Sequence, residues 1–306
     1  MVPRASRASI LDTCLKRSYL WPKIVQLKLT RNMRAIQGAD EFAEWLLDVG
    51  NGNVASQVPG TKDPLIPVPI ASLCQTDLVD VVYEDMDPAT IQGKIILCPK
   101  NDDTMIVNEM VLNRIHGDDK IYLSADSIQT DEPREQANYP MEFLNSLTPS
   151  GMPPHRLRLK VGATVMLLRN LDLKQGLCNG TRLRIIHLHT NIIDAEVMGR
   201  NNHTRVLIPR IVLAPTDANL PFVLQRRQFP LRLCFSMTIN KAQGQTFSTV
   251  GLLLRKPVFS HGQLYVAFSR ARSFDSLHVS VINGTHQGIR DRQVVTPNVV
   301  YKEALM

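Results

Sequence analysis

Several features that commonly identify a protein class are missing from this sequence of 306 residues. It has no uninterrupted apolar run of about 18 residues, so a membrane-spanning helix is not expected. Its five cysteines contain no CxxC pair, and its eight histidines have no acidic or cysteine partner at ligand spacing, which argues against a metal site. The scattered cysteines are typical of small core residues in a reducing compartment: Cys14, Cys74, Cys98, Cys178 and Cys234.

The usual nucleotide-binding loop is also missing. No GxxxxGK[ST] occurs, since Gly93-Lys94 is followed by Ile95 and has no glycine-rich loop before it. The acidic pair Asp131-Glu132 stands before a proline and does not end an apolar strand, unlike a magnesium-binding pair. Apart from candidate arginines, the sequence therefore offers nothing that would hold the phosphates of a nucleotide or its metal ion.

Charge is present and is unevenly distributed. Residues 1–150 carry 14 Lys and Arg against 21 Asp and Glu, a difference of −7, whereas residues 151–306 carry 21 against 7, a difference of +14. A basic half of that size favours a polyanion such as a phosphate backbone, and a merely solvated basic face is the equally open alternative. Aromatic residues make up only 6% of the chain, which favours backbone tracking over a base-stacking platform.

The first part of the chain predicts alternating strands and helices. Residues 24–34, IVQLKLTRNMR, alternate apolar and polar side chains and predict a half-buried strand with Arg34 just past its end. DEFAEWLLDVGNG predicts a helix that stops at its glycines and whose apolar face carries Phe42, Trp45, Leu46 and Val49.

A strand, a polar turn and a helix follow in KIILCPKNDDTMIVNEMVLNRI. The predicted apolar face of that helix includes Ile106, Met110 and either Leu112 or Ile115. KIYLSADSI predicts one more short strand, and Thr130 to Pro140 an exposed connection. This order is typical of the αβ units of parallel sheets.

From His155 the pattern changes to short strands and tight turns. Asn179-Gly180 predicts a hairpin turn, and GRNNHT separates two further apolar runs. Several short strands within residues 156–225 predict a small closed β-barrel. The barrel interrupts an α/β domain, whose segments are predicted to be residues 1–155 and 226–306.

After Pro230 the helix and strand alternation resumes. LRLCFS predicts a strand, TVGLLL a second, SHGQLYVAFSRAR a helix and SLHVSVI a third strand. Strands joined in this order predict a parallel sheet with its functional loops at the carboxyl ends of the strands.

The segment SMTINKAQGQT concentrates hydrogen-bonding groups just after the first of these strands. Thr238, Asn240, Lys241 and Gln243 can contact a phosphate backbone, and Gly244 allows a close approach of the main chain. A polar turn that caps a helix would explain the same residues. The chemistry alone leaves both interpretations open.

Three arginines are candidates for a phosphoryl group. Arg270 and Arg272 lie near the end of the SHGQLYVAFSRAR helix, where interaction with the helix dipole is a sufficient reason for an arginine. The alternative for one of them is an arginine finger, which stabilises transferring phosphate. Arg34 is likewise either a surface arginine or a phosphate sensor.

Taken in order, LKLTRNMR, ILCPKNDD, LRLKVGATVMLLRNLDLKQGLCNGTRL, RRQFPLRLCFSMTINKAQGQTF and SHGQLYVAFSRAR resemble the carboxyl-terminal half of the Pif family of DNA helicases. The similarity is greatest to the branch found as stand-alone eukaryotic helicases and in rolling-circle Helitron transposons. It implies an ATP-dependent motor that moves 5′ to 3′ on single-stranded DNA, with Mg²⁺ as cofactor. The expected fold is α/β: a RecA-like second lobe with an inserted β-barrel.

The resemblance also implies roles for particular residues. LTRNMR resembles helicase motif IV, in which Arg34 approaches the ATP phosphates. SMTINKAQGQT resembles motif V, in which Thr238, Asn240, Lys241 and Gln243 contact the DNA backbone beside the nucleotide cleft. GQLYVAFSRAR resembles motif VI, in which Arg270 is the arginine finger and Arg272 supports it. Gly244 and the arginines of motifs IV and VI would together adjoin the bound ATP.

The family's Walker A lysine and magnesium-binding pair belong to its first lobe, and this chain is expected to begin after them. It is therefore expected not to hydrolyse ATP alone, and it is either a truncated gene product or a piece that needs a first lobe in trans. The alternative is a non-enzymatic, single-stranded nucleic-acid-binding remnant of a transposon helicase. The resemblance implies a location in the nucleus, with mitochondria as the alternative, and no membrane partner.

Overall fold

The computed structural model describes residues 6–27, 32–36, 38–54, 63–86, 88–129, 138–199, 204–215, 220–284, 286–290 and 292–305. Backbone contacts divide the chain into two compact units. The first unit comprises Met1–Val82, Leu97–Asn101 and Thr238–Met306, and the second comprises Tyr83–Ile96 and Asp102–Met237.

The helices of the described residues are short except for two. They are α1 (Arg7–Asp12), α2 (Asp40–Asn51), α3 (Leu78–Val82), α4 (Pro88–Ile91), α5 (Asn101–Arg114), α6 (Met141–Ser146), α7 (Gln263–Phe268) and α8 (Lys302–Leu305). Four 3₁₀ turns lie at Leu15–Arg17, Trp21–Lys23, Ile70–Ser72 and Ile239–Ala242.

The strands up to residue 200 are β1 (Leu65–Pro67), β2 (Lys94–Cys98), β3 (Lys120–Leu123), β4 (Ala125–Gln129), β5 (Arg156–Leu159), β6 (Thr164–Leu167), β7 (Arg182–Leu188) and β8 (Ile192–Val197). The later strands are β9 (Arg205–Pro209), β10 (Ile211–Leu213), β11 (Val223–Gln228), β12 (Leu231–Leu233), β13 (Ser236–Thr238), β14 (Thr249–Leu254), β15 (Leu277–Val281), β16 (Gly288–Arg290) and β17 (Gln293–Pro297).

A four-stranded sheet has the order β13-β2-β14-β15. In the first unit, β14 and β15 run parallel, with Val250 opposite Leu277 and Leu254 opposite Val281. The apolar run of β14 is buried from Val250 onward, as expected for a parallel strand that is covered on both faces. The predicted α/β architecture with a parallel sheet is confirmed.

Helix α2 of the first unit also agrees with its prediction. Phe42, Leu46 and Val49 are buried on one face, Trp45 is half-buried, and Gly52 ends the helix with a left-handed φ of 68°. Glycine is favoured at this position because it has no Cβ to clash. A second sheet in this unit, β1-β17-β16, is antiparallel.

The second unit is built on antiparallel strands. Its largest sheet has the order β12-β6-β7-β8-β9, and two smaller sheets have the orders β10-β11-β4 and β3-β5. Ile128, Leu144, Met152, Leu213 and Leu224 form one of its apolar clusters.

The closed β-barrel predicted for residues 156–225 is not confirmed. The described strands of that range are divided among three sheets, and they pair with β3, β4 and β12, which lie outside it. The predicted segments 1–155, 156–225 and 226–306 remain a prediction. The hairpin expected at Asn179-Gly180 is a longer connection, because β6 ends at Leu167 and β7 begins at Arg182.

Two strand predictions were wrong. In residues 24–34, no strand forms at 24–27 or 32–34, and residues 28–31 lie outside the described residues. Val25 and Leu27 are 84% and 89% exposed, so their alternation with polar residues does not reflect a buried face. LRLCFS is not one strand, because β12 and β13 belong to different sheets.

Two helix predictions also need correction. In α5 the buried residues are Thr104, Val107, Asn108, Val111 and Leu112, whereas Ile106 is exposed. Helix α7 ends at Phe268, so Arg270 follows the helix instead of lying in its last turn. The acidic pair Asp131-Glu132 lies outside the described residues.

Candidate functional site

The segment that resembles motif V leaves β13 through a tight 3₁₀ turn, Ile239–Ala242, in the first unit. Residues 239–245 are called the motif V turn. Ile239 and Ala242 of that turn are buried, whereas Asn240 and Gln243 are exposed and Lys241 is half-buried. The apolar residues anchor the turn in the core, so the polar side chains between them are directed outward. Thr238, at the end of β13, is half-buried.

Gly244 follows the 3₁₀ turn with a left-handed φ of +85°. A Cβ built on it would meet no atom of the described residues within 4 Å. The glycine is therefore required by the backbone conformation, and within the described part of the chain nothing packs closely against it.

Arg270 is folded back onto the motif V turn. Its Nη1 donates to the carbonyl of Gln245 at 2.7 Å and to that of Ala242 at 3.4 Å. Its Nε donates to the carbonyl of Val266 at 3.0 Å, and its Nη2 to Oγ of Ser269 at 2.9 Å. The guanidinium thus joins α7 to the turn after β13 through main-chain oxygens.

The charge of Arg270 is buried without a counter-ion that the structure records. The residue is 4% exposed, and no carboxylate of the described residues forms a salt bridge with it. Burial lowers the pKa of Arg270, and the nearby charge of Arg34 lowers it further. Carbonyl dipoles solvate this cation, but they do not neutralise it.

Arg34 is held near Arg270 by a local turn. Oδ1 of Asn32 accepts the N–H groups of Arg34 at 2.9 Å and of Ala35 at 3.3 Å, which is the geometry of an Asx turn. Two residues later, the N–H of Ile36 donates to the carbonyl of Arg272 at 3.2 Å. The side chain of Arg34 is exposed at this position.

The arginine pair lies at an edge of the sheet that the sequence did not predict. The N–H of Phe247, just before β14, donates to the carbonyl of Arg270 at 3.2 Å, and that of Val250 to the carbonyl of Ser276 just before β15. Arg270 therefore lies at the amino ends of β14 and β15, not at the predicted carboxyl edge. The helix between two parallel strands returns the chain to the start of the second strand, and Arg270 follows that helix.

Aromatic side chains of the first unit pack against α7. The ring centroid of Trp45 in α2 lies 4.9 Å from that of Phe268, and Phe42 meets Phe274 edge-on at 5.0 Å. A Cβ on Gly50 would come within 3.0 Å of the Tyr265 ring, so α2 and α7 approach closely. This packing fixes the end of α7 from which Arg270 projects.

The structure thus brings Arg34, Arg270 and the carbonyls of Ala242 and Gln245 together. Arg272 is exposed, and its N–H donates to Oγ of Ser276 at 3.0 Å. Sequence reasoning missed Asn32, although an asparagine two residues before Arg34 is a recognisable Asx-turn signal. It also missed the carbonyl partners of Arg270, for which no side-chain pattern exists.

Two expected absences can be compared with the part of the chain that the structure describes. There, no helix has the length and apolar character needed to cross a bilayer. No group of three or more His, Cys, Asp or Glu side chains of the described residues is arranged to hold a metal ion.

Two family models match the sequence. The model for the PIF1-like helicase matches residues 1–60, and the model for the 2B domain of DNA helicase Pif1 matches residues 142–188. The second match lies within the antiparallel unit.

Curated relatives match a larger part of the chain. The sequence is 34% identical over 193 residues to the ATP-dependent DNA helicase PIF1 of Danio rerio and 33% identical over 189 residues to that of Homo sapiens. Both alignments cover 60% of this chain and 26% of the relative. The matched region thus spans about a quarter of the length of these relatives.

Solved structures show the same fold. The Pif1 helicase from Candida albicans has a TM-score of 0.59 at 25% identity, covering 88% of this chain and 60% of that one. Bacteroides Pif1 bound to single-stranded DNA has a TM-score of 0.56 at 23% identity, covering 84% and 52%. In its sequence matches and in its RecA-like α/β fold, the chain is thus similar to the Pif1-like DNA helicases.

Proposed function

We propose that this chain supplies the second RecA-like lobe of an ATP-dependent DNA helicase that moves 5′ to 3′ on single-stranded DNA. The proposal is supported by Arg270, which contacts the motif V turn and lies close enough to Arg34 for the charge of Arg34 to lower its pKa. Two neighbouring cations, one of them buried against carbonyl and hydroxyl oxygens with no carboxylate of the described residues bound to it, favour an anion between them. A phosphate group satisfies that requirement better than a carbonyl, because hydrogen bonds between charged groups are stronger.

The nucleotide would be ATP with Mg²⁺ in the complete motor. Arg34 and Arg270 would approach its phosphates, with Gly244 near the same edge, and Arg270 would act as the arginine finger. Phosphate charge is what such a guanidinium stabilises during phosphoryl transfer. Because the sequence contains no GxxxxGK[ST] loop, we propose that ATP hydrolysis needs a first lobe that supplies this loop.

The DNA contact would come from the polar side chains of the same turn. Thr238, Asn240, Lys241 and Gln243 can position a phosphate backbone without reading bases. Arg270 binds the carbonyls of Ala242 and Gln245 in this turn, so its movement toward a phosphate would alter the turn. Through these bonds, we propose, binding of the nucleotide changes the contact with DNA. The DNA would be nuclear or mitochondrial.

A titration of single-stranded DNA tests the contact. A fluorescein-labelled oligo(dT) and a mixed-sequence oligonucleotide are titrated by anisotropy at several salt concentrations. Lys241→Ala should weaken both alike and reduce the salt slope by about 0.7, the value for one lost phosphate contact. The matched control is Lys256→Ala, which removes an exposed lysine just beyond the carboxyl end of β14. Unchanged affinity and slope for Lys241→Ala would remove that residue from the DNA contact.

A second candidate function is single-stranded nucleic-acid binding without catalysis. The exposed Asn240 and Gln243 favour it, since they need no nucleotide to meet a phosphate backbone. DNA-stimulated ATP hydrolysis that appears when a helicase first lobe is added, and that Arg270→Ala removes, would support the motor. DNA binding with no hydrolysis under any such addition would support the remnant. Hydrolysis by the chain alone would contradict the proposed need for a first lobe.

A further inference from the structure

The chain passes from one sheet to another immediately before motif V. Strand β12 ends at Leu233 in an antiparallel sheet, and β13 begins at Ser236 in the sheet of β14. At such a transfer the main chain leaves one ladder before it has joined the next. Phe235 and Ser236 are buried there, and buried main-chain polar groups are almost always paired.

One side chain of α5 supplies most of these pairs. Oδ1 of Asn108 accepts the N–H groups of Phe235 and Ser236, both at 2.9 Å. Its Nδ2 donates to the carbonyl of Ser236 at 3.1 Å. Asn108 is 4% exposed, so it serves the protein interior and not solvent. A single amide can do this because it offers both acceptor lone pairs and donor hydrogens.

The remaining carbonyl is held from other elements of the second unit. The hydroxyl of Tyr83 donates to the carbonyl of Phe235 at 2.5 Å, and the N–H of Ile96 donates to it at 3.0 Å. Tyr83 is 2% exposed, and burial raises the pKa of its hydroxyl, which stays a donor. We call this arrangement the 235–236 clamp: Asn108, Tyr83 and Ile96 around Phe235 and Ser236.

We infer that Asn108 is a positioning residue that fixes where β13 begins and thereby orients the motif V side chains that follow it. A shift of one residue in a strand exchanges its two faces, so Thr238 would point to the opposite side of the sheet. The functional meaning of the inference rests on the proposed DNA contact. Its structural content does not, because the clamp exists whether or not DNA binds.

Hydrogen exchange of the full chain tests the structural content. Asn108→Leu keeps the approximate volume and removes all three hydrogen bonds. The loss of these three bonds should accelerate hydrogen exchange in a peptide covering residues 234–246 by about tenfold or more, because it leaves buried main-chain groups without a hydrogen-bond partner. The control Val111→Ala truncates a buried residue of the same helix that makes no bond to the clamp. Equal exchange of that peptide in the two variants would overturn the inference.

Asn108→Asp is the second variant. It retains the shape of the asparagine side chain and therefore provides the test if Asn108→Leu does not fold. An ionised carboxylate would still accept both N–H groups, but its other oxygen would face the Ser236 carbonyl without a proton. A protonated carboxyl donates to that carbonyl as the amide does. The difference in Tm between wild type and Asn108→Asp should therefore become smaller as pH falls from about 8 to about 5. A loss that stays constant over this range would contradict the clamp geometry.

DNA binding tests whether the clamp orients the motif V side chains, whereas hydrogen exchange tests the clamp itself. At about pH 7.5, Asn108→Asp should bind fluorescein-labelled oligo(dT) about fivefold or more weakly than wild type and should recover at low pH, whereas Val111→Ala should match wild type. Wild-type affinity in both Asn108 variants would overturn the positioning role. If the wild-type chain binds no DNA, the proposed contact of motif V fails, and the exchange result still decides the clamp.

Discussion

The guanidinium of Arg270 donates to the main-chain carbonyl of Gln245 at 2.7 Å, and so joins the motif VI segment directly to the turn of motif V. A carbonyl is a weaker partner for a cation than a phosphate oxygen is. Under the proposed function, a phosphate of the nucleotide would compete with this carbonyl for the guanidinium. In the conformation described, Arg270 stabilises the turn and does not extend into solvent.

Removal of this side chain should destabilise the folded lobe. Arg270→Ala leaves the carbonyls of Ala242 and Gln245 without their donor and opens a buried space. We expect the free energy of unfolding to fall by about 2 kcal/mol, measured by denaturant titration. Arg272→Ala is the matched control, because that side chain is exposed, and it should change the value by less than about 0.5 kcal/mol. Equal stability of the two variants would show that the Arg270 bonds contribute nothing.

Gly244 should be needed for its backbone conformation. Gly244→Ala places a Cβ in open space but at a φ of +85°, so the expected cost is strain alone, about 1 kcal/mol. Gly244→Asn should lose less, because asparagine tolerates left-handed φ. Gly284→Ala is the control: its site is equally open and its φ is not positive. Thermal melting of the three variants measures the order, and a neutral Gly244→Ala would refute the strain.

Elements with one dominant pattern were predictable from sequence. The apolar face of α2 and the continuous run of β14 leave no competing interpretation, and both agree with the structure. The face of α5 was not predictable in this way, because apolar residues occur around most of the helix. Its buried face includes Asn108, whose burial depends on main-chain partners more than 120 residues away.

The site could be predicted in composition but not in arrangement. Motifs identified Arg34 and Arg270, yet no pattern shows that Arg270 binds main-chain carbonyls or that it lies at the amino ends of β14 and β15. The division of LRLCFS between two sheets was also hidden. A strand pattern reports local alternation of side chains, whereas sheet membership is decided by distant partners.

A buried ion pair in the second unit should be costly to break. Arg226 and Asp126 are both fully buried, and Nε of Arg226 donates to Oδ1 of Asp126 at 2.8 Å. The guanidinium also donates to the carbonyls of Pro153 and Leu144. Arg226→Met removes the cation and leaves the buried carboxylate with the Ser124 hydroxyl, which donates to Oδ1 at 2.6 Å, so we expect a loss of about 3 to 5 kcal/mol in denaturant titration.

Two variants provide the controls for that pair. The double variant Asp126→Leu with Arg226→Met removes both charges and should recover part of the loss. Arg17→Ala breaks the exposed pair with Asp12 and should cost less than about 1 kcal/mol. If the double variant lost about a further 3 to 5 kcal/mol relative to Arg226→Met, an uncompensated buried charge would not be the cause of the destabilisation in Arg226→Met.

The acid stability of the antiparallel unit should depend on Asp194. Nε of Arg205 donates to Oδ1 of Asp194 at 2.8 Å, and this bond, with a smaller contribution from His187, lowers the pKa of that carboxyl to about 2. The unfolded chain binds the proton near pH 3.9. The contribution is therefore fully present above about pH 4 and is lost as pH falls toward 2.

Replacing the arginine should move this loss to higher pH. Arg205→Gln removes the cation, so the pKa of Asp194 should rise toward its ordinary value, and acid unfolding followed by circular dichroism should begin at a higher pH than in wild type. Arg227→Gln, an exposed arginine of β11, is the control and should leave the acid transition in place. Coincident acid transitions in wild type and Arg205→Gln would mean that the ion pair is equally populated in the unfolded chain, because only a pKa difference between the two states makes stability depend on pH.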